Sequence, residues 1–268
     1  MSLLKRTFTA AVLLAVVFVF VQYAPRWAFF LFGQAFILAA LFEFYNLAGR
    51  NGLRPQRPLG VAMVVLVSAS FYFRSIPLEV ALFGGLLAAG FYLVVAFNSQ
   101  EKLPHFPAAF AVTALGMLYV SFPLNFLYWI RTDAGPFYLY FLFAVIFLGD
   151  TGAFFVGKTV GRNKMTPVAS PNKTWEGSAG GFLFAAAGAL LARFVLLPAV
   201  PVGTAVLTGL VVHAAAQVSD PLESLFKRAV GAKDSSNALP GHGGFLDRID
   251  SLILAGPLFY FIFTYFWK

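Results

Sequence analysis

Five polar residues, His213, Gln217, Asp220, Ser224 and Lys227, recur three or four positions apart in an otherwise apolar segment, which places them on one face of a helix. Such a face is expected to point into something wet. Glu223 lies beside it, and Asp247 and Asp250 repeat the three-residue step at the start of the next apolar segment. Four carboxylates turned toward lipid would together cost on the order of 10 kcal/mol, so they are expected to share a solvated cavity or a bound cation. Carboxylates from two helices make a natural hard-cation site, with Asp220, Asp247, Glu223 and Asp250 as candidate metal ligands. The chain has no Cys, and its three His, at 105, 213 and 242, form no HxxxH pair. Oxygen donors are therefore expected, with Mg²⁺ as the occupant. Lys227, Arg228, Lys233, His242 and Arg248 follow, around Gly241, Gly243 and Gly244, which permit a tight turn. Cations, amides and a metal together describe a polyphosphate site. The same charges also suit a solvated loop with helix-terminal charges, and spacing alone leaves that reading open.

A second polar stretch, Ser170-Pro-Asn172-Lys173-Thr174-Trp-Glu176-Gly177, lies just before the Gly177-x-x-x-Gly181 pattern opens a helix. Amides at such a helix start attract anions, while an ordinary capped loop has the same composition. Asp150, in Leu-Gly-Asp-Thr-Gly, is a carboxylate inside an apolar span; it is expected to face a polar interior, either at a site or in a structural hydrogen bond. Glu43 and Glu79 are isolated among apolar residues and are read as structural. Gly152-Ala-Phe-Phe-Val-Gly157-Lys158-Thr159 matches the GxxxxGK[ST] phosphate-loop pattern, but it sits inside an apolar span and carries two Phe, so the match is read as coincidental; Lys158 remains a candidate simple cation for phosphate. Asn172-Lys-Thr174 matches a glycosylation acceptor, on the wrong side of the membrane by the topology below.

The elements that must position these residues follow from composition. Hydrophobic residues make up 60% of the 268 and charged residues only 11%, against about 25% in a soluble domain, so the chain cannot keep its surface in water. Segments of roughly 20 apolar residues give an all-α, polytopic membrane protein with about nine spans. They are read near 8–24, 27–48, 58–73, 76–97, 107–130, 136–158, 178–198, 202–226 and 247–267, the third short enough to be partly re-entrant or to thin the bilayer. The first, behind Lys5 and Arg6, has no small-x-small cleavage site and is expected to remain as a span. With the N-terminus inside, only Arg26, Arg74, Arg131, Arg193 and Lys268 of the 19 basic residues fall on the outer side. The polar loops 159–177 and 227–246 are then both cytoplasmic, and the net charge of +8 reflects topology and anionic lipid, with no need to invoke nucleic acid. Residues 1–135 are read as a scaffold with dimer contacts, and 136–268 as the catalytic region.

The run Ser224-x-Phe-Lys227-Arg228, Lys233-Asp234, Leu239-Pro240-x-His242-Gly243-Gly244-Phe-x-Asp247-Arg248-x-Asp250 resembles the signature of the phosphatidate cytidylyltransferase family, the CDP-diacylglycerol synthases. The segments Ser-Asp220-Pro-x-Glu223-Ser224 and Ser170 to Gly177 are similar to family segments too. The resemblance implies a helical, dimeric enzyme of the inner membrane that joins CTP to phosphatidic acid with Mg²⁺, with Asp220 and Asp247 as paired metal-binding aspartates and room for a second, monovalent cation such as K⁺. In that reading Lys173, Lys227, Arg228, Lys233 and Arg248 surround the phosphates, and Ser170, Asn172, Lys173, Thr174, Glu176, Ser224, His242, Gly243, Gly244 and Asp150 contribute to substrate binding. The nearest alternatives are a CTP-dependent lipid kinase and a cytidylyltransferase for another lipid phosphate, and outside enzymes a cation transporter or channel. The His242 to Asp250 match argues against the kinase, and the cation cluster against the transporter.

Overall fold

Prolines and glycines decide where the apolar segments begin and end. The computed structural model describes residues 3–267, with side chains from Thr7 onward; Lys268, and the side chains of Lys5 and Arg6, on which part of the expected orientation rests, lie outside the described residues. Among the described residues seven helices are long and apolar enough to cross a membrane, and two further apolar helices, one ending at Tyr23 and the other Arg57–Tyr72, accompany them. The protein is all-α and polytopic, apart from one short hairpin.

The chain forms two compact units, one comprising the chain up to Tyr128 with Ala229–Arg248, the other Trp129–Arg228 with the chain from Ile249 onward. The expected boundary at 135 and 136 follows the span pattern; the observed one lies a few residues earlier and assigns the Ala229–Arg248 loop to the first unit.

In the first unit, α1 (Leu3–Tyr23) stops before Pro25, whose extended backbone opens α2 (Arg26–Arg50). Next come α3 (Arg57–Tyr72), with Pro58 in its first turn, and α4 (Leu78–Ala96), opened by Pro77. Then α5 (Phe106–Leu115) and α6 (Phe122–Trp129) run within one continuous helix, Leu103–Ala134, widened into π turns at Gly116–Ser121 and Ile130–Ala134. Tyr45 fills the space at the first of these. A Cβ on Gly60 or Gly116 would fall 2.1 or 2.5 Å from its hydroxyl, which donates to the Thr113 carbonyl at 2.8 Å. Deeper in the unit, Gln34 donates to Asn125 at 2.9 Å, and Asn125 donates to Ser68 at 3.0 Å and to the Ser121 carbonyl at 2.8 Å. Where lipid is as apolar as Leu, hydrogen bonds of this kind hold helices together.

The second unit carries α7 (Pro136–Val160), the antiparallel strands β1 (Lys164–Thr166) and β2 (Ser170–Thr174), α8 (Trp175–Leu196), α9 (Val202–Ala229) and α10 (Leu246–Phe266). Helices α7 and α8 approach until backbone meets backbone: a Cβ on Gly177 would lie 2.8 Å from the Ala153 carbonyl oxygen, and one on Gly188 2.8 Å from that of Ala144. The Gly152–Thr159 stretch forms the last turns of α7, so its amides belong to the helical ladder and not to a phosphate loop.

Candidate active site

In the second unit the hairpin delivers Lys173 to Asp220 on α9, N to O at 2.8 Å, with about a third of each side chain exposed. Both line a cavity of about 630 Å³, together with Asp150, Lys158, Lys164, Asn172, Thr174 and Gln217. The loop 159–177 is thus a built wall, made in two ways. Thr174 caps α8 by accepting from Gly177 N at 3.1 Å. The Glu176 carboxylate, expected to bind substrate, instead accepts from Arg162 N at 3.0 Å, from Asn163 N at 3.2 Å and from the Asn163 side-chain amide at 2.7 Å. A Glu176→Gln variant is therefore expected to expose the 161–164 turn to faster tryptic cleavage after Arg162 and Lys164, because an amide offers one acceptor where the carboxylate offers two.

The polar face of α9 is mostly dry, against expectation. His213 is fully buried, and Ser224 and Lys227 are each 7% exposed. Ser178 donates to Gln217, which donates back to the Ser178 carbonyl at 3.1 Å and meets His213 Nε2 at 2.8 Å, so the upper part of the face locks α8 to α9. Only Gln217 and Asp220 of the five reach the cavity. Glu223, expected among the metal ligands, lies in a buried ion pair with Lys227 at 2.5 Å, which also turns Lys227 away from the role expected of it around phosphates. Burying such a pair costs desolvation that the mutual attraction offsets only in part, but removing either partner would leave an uncompensated buried charge. Arg228 donates to the Ala169 carbonyl at 3.3 Å and ties the end of α9 to the hairpin turn. Ser224 approaches Asp220 at 3.5 Å. The Asp250 carbonyl accepts from Ser219, and its carboxylate accepts from Ser251 N at 2.6 Å. Ser170 begins β2.

In the first unit, Asp247 Oδ2 accepts from Ser235 N at 2.9 Å, Ser235 Oγ at 2.9 Å and Gly244 N at 2.7 Å. Gly243 permits this with φ +78°; a Cβ there would lie 2.6 Å from the same oxygen. Lys233, Asp234, His242, Gly243 and Arg248 line a second cavity of about 660 Å³, whose cations suit an anion. Glu43 accepts from Ser235 Oγ at 2.8 Å, Ser236 Oγ at 2.6 Å, Phe245 N at 3.0 Å and Leu246 N at 2.8 Å. Sequence reading left Glu43 without a partner. The one available signal was the cost of about 2.5–3.5 kcal/mol for a carboxylate within a span, which demands a partner without saying where it lies.

Among the described residues no three His, Asp or Glu side chains form a metal-binding group. The donor chemistry nonetheless fits a hard cation of the Mg²⁺ kind, which takes one or two carboxylates and completes its shell with water and phosphate; Asp220 is a part-exposed carboxylate on a wet cavity, as that requires.

Residues 4–266 match the cytidylyltransferase family. The chain is 32% identical over 273 residues to the phosphatidate cytidylyltransferase of Bacillus subtilis (strain 168), covering 98% of both proteins. It is 34% identical over 264 residues to the protein of that name from Brucella suis biovar 1 (strain 1330), covering 97% of this chain and 93% of the relative. Against the Staphylococcus haemolyticus (strain JCSC1435) phosphatidate cytidylyltransferase the identity is 31% over 261 residues, covering 94% and 96%.

Proposed function

Because the chain belongs to the cytidylyltransferase family, we propose that it transfers the cytidylyl group of CTP to phosphatidic acid, giving CDP-diacylglycerol and pyrophosphate for phospholipid synthesis. The observation that carries this reading is the 630 Å³ cavity in which Asp220 faces Lys173 beside Lys158 and Lys164, in a chain that matches the family almost end to end. Two carboxylates, Asp150 and Asp220, set among three lysines suit a cation with bound phosphate, whereas an ion pathway needs no lysines.

The nucleophile is a phosphate oxygen of phosphatidic acid, already anionic at neutral pH. It forms a bond to the α-phosphorus of CTP as the bond from that phosphorus to the bridging oxygen breaks, and pyrophosphate leaves with the electron pair. No strong general base is required, in keeping with a His213 that is fully buried and engaged by Gln217. The chain's own contribution is positioning and charge neutralisation. Lys173 is oriented by Asp220 and by the strand that carries it; Lys233 and Arg248 line the anion-suited cavity of the first unit. Asp220 and Asp247 are the residues that would hold Mg²⁺, with a monovalent cation such as K⁺ as a second ion. When bound, Mg²⁺ supplies charge neutralisation for phosphate oxygens.

Multiple apolar helices make this a multi-pass membrane protein, and its bacterial relatives point to the inner membrane. The proposed orientation puts the N-terminus and both polar loops in the cytoplasm, where CTP is, and the proposed working form is a homodimer.

Purified protein given α-labelled CTP, phosphatidic acid and Mg²⁺ is expected to yield labelled CDP-diacylglycerol and an equal amount of pyrophosphate, with EDTA reducing turnover to background. Transfer of label from γ-labelled CTP into lipid would identify a kinase instead. Neither product would sink the reading.

A further inference from the structure

We propose that Glu43, on α2, is a positioning residue for this reaction: it holds the Ser235–Leu246 loop in the shape that sets the direction of the Asp247 carboxylate. The inference rests on the reading that Asp247 helps to hold the divalent cation.

Glu43 is 5% exposed, and four donors converge on it. Two are the backbone amides of Phe245 and Leu246, where α10 begins, and the first amides of a helix have no partner within the helix. A carboxylate from α2 therefore caps α10 from a distance of about 200 positions along the chain. The remaining donors are the hydroxyls of Ser235 and Ser236, at the other end of the same loop. One side chain thus clamps both ends of the segment.

Ser235 carries the effect to Asp247. Its hydroxyl lies 2.8 Å from Glu43 Oε2 and 2.9 Å from Asp247 Oδ2, so its single proton bridges the two carboxylates, while Ser235 N and Gly244 N fix Oδ2 further. Three donors on one oxygen determine the rotation of a carboxylate. The arrangement has no slack, since a Cβ on Gly244 would lie 2.1 Å from Ser235 Oγ and 2.4 Å from Glu43 Oε2. Glutamine cannot replace Glu43, because its NH₂ would confront amides that only donate.

The test uses the full-length protein in detergent and reads Mg²⁺ binding by calorimetry without substrate, turnover against Mg²⁺, and thermal unfolding. Glu43→Gln is expected to weaken Mg²⁺ binding and raise half-saturating Mg²⁺ about 10- to 100-fold, the usual effect of removing a group that orients a ligand. The KM for phosphatidic acid should be unchanged, Glu43→Asp should recover part of the Mg²⁺ affinity, and Ser235→Ala should shift it in the same direction as Glu43→Gln. Glu79→Gln, at the exposed start of α4, should match the wild type. A Glu43→Gln protein that is less stable yet binds Mg²⁺ as the wild type does would make Glu43 a structural staple only and overturn the proposal. If Glu43→Gln does not fold, Ser235→Ala decides: unaltered Mg²⁺ affinity overturns the proposal and weakened affinity supports it. Full activity in Asp247→Asn would instead overturn the metal reading on which the proposal stands.

Discussion

Asp220→Asn is expected to abolish cytidylyl transfer, by at least about 10³-fold in kcat, some 4 kcal/mol of lost transition-state stabilisation. The substitution keeps the shape of the side chain and removes only its charge, so the loss measures electrostatics and not packing. Two consequences act together. Lys173, paired with Asp220 at 2.8 Å, loses the group that orients it, and one of the two carboxylates proposed for Mg²⁺ becomes a neutral amide. Stability should change little, because the pair is part-exposed and such pairs contribute little to folding. The informative measurement is turnover over a wide Mg²⁺ range alongside thermal unfolding in detergent. Wild-type unfolding with background turnover that excess Mg²⁺ fails to restore is the expected result. Lys173→Met should fall between the two proteins, since it removes the cation and leaves the carboxylate for the metal. Turnover within a few-fold of wild type in Asp220→Asn would contradict the role assigned to this residue.

The helices were legible because hydrophobicity over some 20 residues is a strong and redundant signal. The expected spans at 136–158, 178–198, 202–226 and 247–267 correspond to α7, α8, α9 and α10 with ends displaced by a few residues. Strands β1 and β2 left no such trace, since three to five residues of mixed polarity cannot express a period. The spacing of His213, Gln217, Asp220, Ser224 and Lys227 correctly placed them on one helix face, but a face may be satisfied by neighbouring helices as well as by water. Ser178 from α8 and Glu223 from α9 itself do that here, and neither partnership follows from spacing. Glu176 and Glu43 show the same limit from the other side. Their residue types suggested chemistry for one and nothing for the other, while their actual work is to hold backbone amides, which no side-chain pattern reveals. Motif resemblance points to Asp220 and Asp247 as the ends of the proposed site. Glu43, which we propose positions Asp247, meets the start of α10 from about 200 positions away in sequence.

Gly177→Ala is the second large effect, and its sign is the reverse of the usual one. Within a helix, alanine is normally favoured over glycine by roughly 0.5–1 kcal/mol, because glycine loses more backbone freedom on folding. At Gly177 the added methyl would stand 2.8 Å from the Ala153 carbonyl oxygen, 3.0 Å from Thr174 Oγ1 and 3.1 Å from Gly157 Cα. Two of these three atoms are backbone of α7 and cannot rotate aside, so room for the methyl requires α7 and α8 to part. Parting them also disturbs the Thr174 cap and, through the strand that ends there, the placement of Lys173 against Asp220. Overpacking of this kind costs about 1–3 kcal/mol, which here outweighs the propensity gain. A lowered unfolding temperature together with lowered turnover is therefore expected, and Gly177→Val should be worse. Gly33 supplies the comparison: it lies within α2 with nothing inside 4 Å of a Cβ built there, so Gly33→Ala should leave stability unchanged or raise it. Opposite shifts from two chemically identical substitutions would isolate helix contact as the cause. Equal shifts would show that α7 and α8 do not meet at Gly177, and that the wall of the cavity is built some other way.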